Sequence, residues 1–260
     1  MNSSAAAVVV ATSDRAATGE FLETFGFLRG DRGYFVPQGA PVRVELVDAE
    51  TPGRAPRDFE RGPRALDIYT SDIRRAVDAI SRSGWEVSPV GTVSLGPVTM
   101  HQALVTGPEG LPIVLVESSH RRASLLDHEP DRLFSEPHSV VWCVDDRDAE
   151  AARWEAAGFS KGMDLAFEEP AVSDYLGLPR SPVPILMTML SDEAVSPIRL
   201  ELLEFPEDAG DRPADPTSGG IRGLAFEVTD PDETSAKLGL EAPIASTAGG
   251  IFVEFRPIRP

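Results

Sequence analysis

The stretch VRVELVD (Val42–Asp48) returns later in the chain as IRLELLE (Ile198–Glu204). Each alternates like a β-strand and sets one glutamate, Glu45 or Glu201, among apolar neighbours. A carboxylate drawn away from water needs a cation, a proton or an open cleft beside it. Arg199 stands two residues before Glu201, and Arg256 two after Glu254 in IFVEFRP. The strand period puts each arginine on its glutamate's face, so each pair could be an ordinary ion pair. A glutamate left without such a partner is available for metal binding or proton transfer.

The other reactive side chains are few. His138 follows a proline at the start of a strand-like run, and His101 lies in the strand-like TMHQAL. His120 and His128 fall in a polar segment and are expected to be solvated. Cys143 is the single cysteine, which precludes an internal disulfide and fits a reducing, cytoplasmic setting. Inside VVWCV it reads as a small buried hydrophobe. Met187 and Met189 alternate along VPILMTML, and Tyr175 lies in the preceding SDYLGLPRSP. Methionine suits an adaptable apolar pocket, and core packing explains the same pattern. No P-loop, dinucleotide fingerprint, Ser-His-Asp spacing or paired-cysteine metal motif is present.

Composition bounds the partners. The 260 residues are 42% hydrophobic, enough for a core, and carry a net charge of -18. That sign argues against nucleic acid or an anionic membrane, both of which need basic surface. The early AAAVVVA is too short to span a bilayer and lacks the basic flank of a signal peptide, so it reads as a first strand.

What positions these residues is a fourfold repeat. AAVVVATSDRAATGEFLETFGF, RALDIYTSDIRRAVDAISRSGW and HSVVWCVDDRDAEAARWEAAGF each read as apolar strand, aspartate cap and helix, closed by glycine and an aromatic residue. RGLAFEVTDPDETSAKLGL is a shorter fourth copy, with Asp230 as cap and Pro231 at the first helical position. Two or three strands follow each helix, and the fourth copy has room for only two. This predicts an α+β fold of four βαβββ-type units. The expected division is 1–119 for units 1 and 2, a linker at 120–136, and 137–260 for units 3 and 4.

The segments FLETFGF, TGPEGLPIVLVE, WEAAGF and GIRGLAFEVTD, in this order, resemble the vicinal oxygen chelate superfamily of glyoxalase I, bleomycin-resistance proteins and extradiol dioxygenases. The resemblance runs from about Ala5 to Pro257. It implies paired modules whose curled mixed sheets surround a cleft. It also implies metal ligands on each module's first strand, seven residues before the cap, and on its last strand. Carried over, it gives Ala7 and Glu45 in unit 1, then Ala65 and Val114 in unit 2, with Asp67 two residues beyond Ala65 on the same face. Counting from Asp145 gives His138, with Glu201, in unit 3. In unit 4 it gives Gly223 and Glu254. The implied metal set is therefore His138, Glu201 and Glu254, holding Zn, Mn, Fe or Ni if a metal is bound. Glu201 or Glu254 would be the base, with Trp142, Tyr175, Met187, Met189, Arg199 and Arg256 around a small-molecule substrate.

The implied function is a metal-assisted lyase or isomerase working at the C-terminal cleft. A metal-free protein that binds or sequesters a drug-like molecule uses the same cleft. A ring-cleaving dioxygenase would require a second histidine, which the implied ligand positions lack. Glu201 and Glu254 facing each other without a cation would instead share a proton. A homodimer is compatible with each of these.

Overall fold

The computed structural model describes residues 3–30, 33–35, 42–95, 98–192, 196–207 and 217–258. Unit 1 is β1 (Ser3–Thr12), α1 (Arg15–Thr24), β2 (Leu28–Gly30), β3 (Gly33–Phe35) and β4 (Val42–Asp48). Unit 2 is β5 (Gly62–Thr70), α2 (Ile73–Arg82), β6 (Glu86–Val87), β7 (Gly91–Leu95), β8 (Val98–Thr106) and β9 (Pro112–Ser118). Unit 3 is β10 (Phe134–Cys143), α3 (Arg147–Ala156), β11 (Ser160–Phe167), α4 (Pro170–Tyr175), β12 (Ile185–Asp192) and β13 (Ser196–Glu204). Unit 4 is β14 (Gly220–Val228), α5 (Pro231–Lys237), β15 (Ile244–Ser246) and β16 (Phe252–Pro257), with two strands after its helix.

Local chemistry sets each unit. Asp14, Asp72, Asp146 and Asp230 accept backbone N–H groups from the first turn of α1, α2, α3 and α5. Unit 3 departs from expectation here, because its cap is Asp146 and not Asp145, which instead pairs with Arg61. The longer helices then bury a stripe at helical spacing, such as Thr18, Phe21 and Leu22 in α1 or Ile73, Ala76 and Ile80 in α2.

The units form two mixed sheets, and the pairing is not consecutive. The seven-stranded sheet runs β15-β16-β14-β1-β4-β3-β2, joining unit 1 to unit 4. The nine-stranded sheet runs β11-β12-β13-β10-β5-β9-β8-β6, with β7 on β8, and joins unit 2 to unit 3. In both, the first strands of the two units meet antiparallel, β1 with β14 and β5 with β10. Each first strand is flanked by its own unit's last strand in parallel. Residues 120–136 thus connect two units of the same sheet. All four first strands are largely buried and rich in apolar residues, so nothing local tells one which partner to take.

One apolar cluster draws from all four units, including Val8, Ile68, Trp142 and Phe226. Aromatic contacts tie the two sheets together across it. Phe21 meets Trp85 edge-on at 5.0 Å, Phe25 meets Phe134 at 5.2 Å, and Phe226 lies 6.3 Å from Trp154. A second cluster, with Ala65, Tyr69, Val141, Cys143 and Met187, covers the opposite face of the nine-stranded sheet. Among the described residues no helix is long and apolar enough to cross a membrane.

Candidate active site

Strand alternation divides β5 between these two clusters. Leu66 and Ile68 enter the shared core, while Ala65, Asp67 and Tyr69 face the other side. On neighbouring β10, Val140 and Trp142 point to the core, and Val141 and Cys143 away from it. Ser139 stands opposite Asp67 on β5 and Arg199 on β13, and Val141 stands opposite Glu201. The β5–β10 register shifts on both sides of Pro137, and there His138 joins the wall of the cleft. The result is a cavity of about 120 Å³. Its polar wall is Asp67, Gln102, His138, Arg199 and Glu201; its apolar wall includes Met100, Met163, Met187, Met189, Phe167 and Tyr175.

Hydrogen bonds fix the histidine's protonation. Arg199 Nη2 donates to Tyr69 Oη and to His138 Nδ1, both at 2.9 Å. Ser139 Oγ lies 2.7 Å from the same nitrogen. The Tyr69 ring stacks on the imidazole, with centroids 3.6 Å apart and planes at 12°. A guanidinium can only donate, so Nδ1 presents its lone pair and a neutral imidazole carries its hydrogen on Nε2. Nε2 is buried without a partner among the described residues. So are Asp67 Oδ1, Gln102 Oε1 and Arg199 Nε. Each unpaired buried polar atom costs about 1–3 kcal/mol. Four of them line this one cavity.

Electrostatics follow from burial. Burial pushes Glu201 up to about 7, with the Arg199 cation opposing. Burial also lifts Asp67 well above the usual carboxylate range, helped by the charge of Glu201 and opposed by Arg199. Burial holds His138 well below its ordinary value, as do the cations of Arg199 and Arg122. Near neutral pH the cavity therefore presents a neutral imidazole N–H and two carboxyls that cannot both ionise readily. Burial likewise raises Cys143 to about 11, consistent with a thiol that packs and does not react.

The other sheet resolves the same strand pattern differently. Arg43 Nε donates to Glu45 Oε1 at 2.7 Å, and Arg256 Nη1 to Glu45 Oε2 at 2.6 Å. Arg256 Nη2 also binds Glu254 Oε2 at 2.6 Å, and Arg43 Nη2 binds Glu227 at 3.0 Å. Burial alone would raise Glu45, yet the hydrogen bonds from Arg256 and Arg43 outweigh it and leave it lowered. Here the expected ion pair of Arg256 with Glu254 forms. Its counterpart in unit 3 does not, because Arg199 turns to Tyr69 and His138.

Several expected site residues therefore part company. His138, Glu201, Tyr175, Met187, Met189 and Arg199 share one cavity. Glu254 and Arg256 belong to the opposite sheet, because unit 4 pairs with unit 1. Trp142 faces the shared core, as strand period requires of a neighbour of Val141. Gly223 is not a vacant ligand position: a Cβ there would collide with the carbonyl oxygen of Phe252, so only glycine fits the strand spacing. Asp67, Tyr69 and Gln102 complete the cavity. Asp67 was legible as a lone acid in RALDIYT, but its partners lie in a unit that sequence could not pair with it. His120 sits exposed at the cavity rim, and His101 bonds Thr92 Oγ1 at 3.1 Å away from it.

These groups do not suit a divalent metal. Ligation through His138 Nε2 needs a lone pair there, yet the Arg199 hydrogen bond leaves the proton on that atom. Among the described residues no three His, Cys, Asp or Glu side chains converge closely enough to hold an ion.

No family model matches the sequence, and no curated protein matches it. Solved structures do. Glyoxalase I from Zea mays superposes with a TM-score of 0.65 at 18% identity, over 98% of this chain and 91% of that one. A Bacillus subtilis protein provisionally named a dioxygenase gives 0.65 at 10% identity, over 100% of this chain and 86% of that one. The chain shares the fold of these two structures over nearly its whole length.

Proposed function

We propose that the cavity between β5, β10 and β13 binds a small, largely apolar carbonyl compound and moves a proton on it, as an isomerase or lyase would. What supports this most is the pairing of a partnerless His138 Nε2–H with the buried Asp67 and Glu201 carboxyls. The imidazole N–H donates to the substrate oxygen and stabilises the enolate as it forms. Glu201, titrating near 7, takes the proton from the adjacent carbon and returns it. Asp67 keeps its own proton, raised by burial and by the charge of Glu201, while burial itself holds Glu201 high enough to act as acid or base at neutral pH. The methionines accept the apolar body of the substrate. The chemistry is acid–base throughout and asks for no metal, unlike the mechanism the family resemblance implied.

The test is solvent exchange. A panel of small enolisable ketones, aldehydes and hydroxyketones is incubated with the protein in D2O, and loss of the α-proton signal is followed by NMR. Wild type is expected to exchange at least one compound stereospecifically. Glu201→Gln should slow that exchange about 10²–10⁴-fold. The methionine-rich wall also suits a protein that only sequesters its ligand. Compounds that raise the melting temperature without any exchange would favour that role and sink the catalytic one.

A further inference from the structure

A second cavity lies on the core-facing side of β10, away from the carboxyl pair. It encloses about 590 Å³, within the range of small-molecule sites, and is lined by Trp142, Arg222, Phe252, Gly220 and Gly250 among others. Arg54 and Arg61 also reach it, but each has a carboxylate, Glu60 and Asp145 respectively.

Two donors in this wall lack such partners. Trp142 is fully buried, and its indole Nε1–H has no acceptor among the described residues. Arg222 has no ion pair among the described residues and only rests over the Phe252 ring, 5.9 Å from its centroid. An indole N–H can only donate, and so can a guanidinium. The unmet demand of this pocket is thus entirely for acceptors, and in part for negative charge.

The backbone keeps the pocket open. Gly220 and Gly250 hold φ of 126° and 78°, and a Cβ at either would meet nothing within 4 Å. Both glycines therefore border open space in a conformation that other residues resist.

We propose that this pocket is a binding site for a small organic anion. Its carboxylate or phosphate meets Arg222, an acceptor oxygen meets Trp142 Nε1–H, and its body lies along Phe252 and the glycine backbone. The site uses none of the residues assigned to proton transfer, so each assignment can fail alone.

The full-length chain, labelled with ¹⁵N, is titrated with benzoate, phenyl phosphate, inorganic phosphate and the neutral control benzamide. The three tryptophan indole signals are followed, with Trp142 identified by its absence in Trp142→Phe. Saturable movement of the Trp142 signal is expected with an anion and not with benzamide, while the Trp85 and Trp154 signals stay put. Benzoate and phenyl phosphate separate a carboxylate from a phosphate preference, and inorganic phosphate tests the anionic group alone. Arg222→Gln should weaken binding at least about tenfold, and Glu201→Gln should leave it unchanged. The unmoved indole signals report that each variant is folded, and Arg222→Lys should recover part of the affinity. A static Trp142 signal with every anion, equal response to benzamide, or wild-type affinity in Arg222→Gln would each overturn the proposal.

Discussion

Arg43 and Arg199 each stand two residues ahead of a glutamate at the same place in the repeat, yet only Arg43 pairs with its own. Glu45 is consequently lowered, and Glu201 is raised to about 7. The difference has a consequence for stability. With an ordinary value of 4.5, Glu201 in the unfolded chain releases its proton first as pH rises. The folded state then holds the extra proton between roughly 4.5 and 7, so stability from this group is lost as pH rises through that window. His138 has the opposite sign. Its folded value lies below 6.5, so stability is lost as pH falls and the unfolded imidazole protonates. The two partly cancel in wild type, and the comparison that isolates Glu201 is with Glu201→Gln. From about pH 8 to about pH 5, wild type should gain roughly 2–3 kcal/mol relative to the variant, read by urea denaturation at each pH. Parallel curves would mean that Glu201 titrates like a solvated carboxylate.

Among the elements, β10 and α3 carry the most. The strand holds His138 toward one cavity and Trp142 toward the other, and the helix that follows fixes where the strand ends. Two adjacent aspartates could cap that helix. Asp146 Oδ1 accepts from Ala149 N at 2.8 Å, while Asp145 makes a half-exposed ion pair with Arg61. Asp146→Ala should therefore cost about 1 kcal/mol in thermal or urea unfolding, and Asp145→Ala less than about half that. Equal losses would move the cap. This one-residue ambiguity shows what was legible in the sequence. Aspartate, apolar stripe and glycine announced every helix of the repeat, because capping and helical period are local. Counting back from Asp145 reached His138, yet the same count from the actual cap reaches Ser139. His138 faces the cavity because the register shifts on either side of Pro137, an irregularity that no periodic rule anticipates. Met187 and Met189 were legible as pocket residues through their alternation along VPILMTML, and Tyr175 through its place in the segment just before it. Asp67 and Gln102 were not assigned to this site, since their place in it depends on which strand lies beside β5.

That choice is made at the scale of the whole molecule. The sequence suggested consecutive pairing, with a break at 120–136; the sheets join unit 1 to unit 4 and unit 2 to unit 3. A cut in that segment consequently divides both sheets. Residues 1–119 would keep β1 without β14 and β5 without β10, leaving two open first-strand edges. The shared core would be divided as well, because Phe25 packs on Phe134 across the cut. Burying one aromatic side chain is worth about 4–6 kcal/mol at 150–250 Å² each, an upper bound, and a domain's net stability is only about 5–15 kcal/mol. Fragments 1–119 and 120–260 should each fail to unfold cooperatively in a circular-dichroism melt, and mixing them should restore one transition near that of the intact chain. If either fragment alone melted cooperatively near the intact chain's midpoint, the halves would be independent domains. Asp67 and His138 would then belong to separate folding units, and the cavity they share would not be an integral part of either.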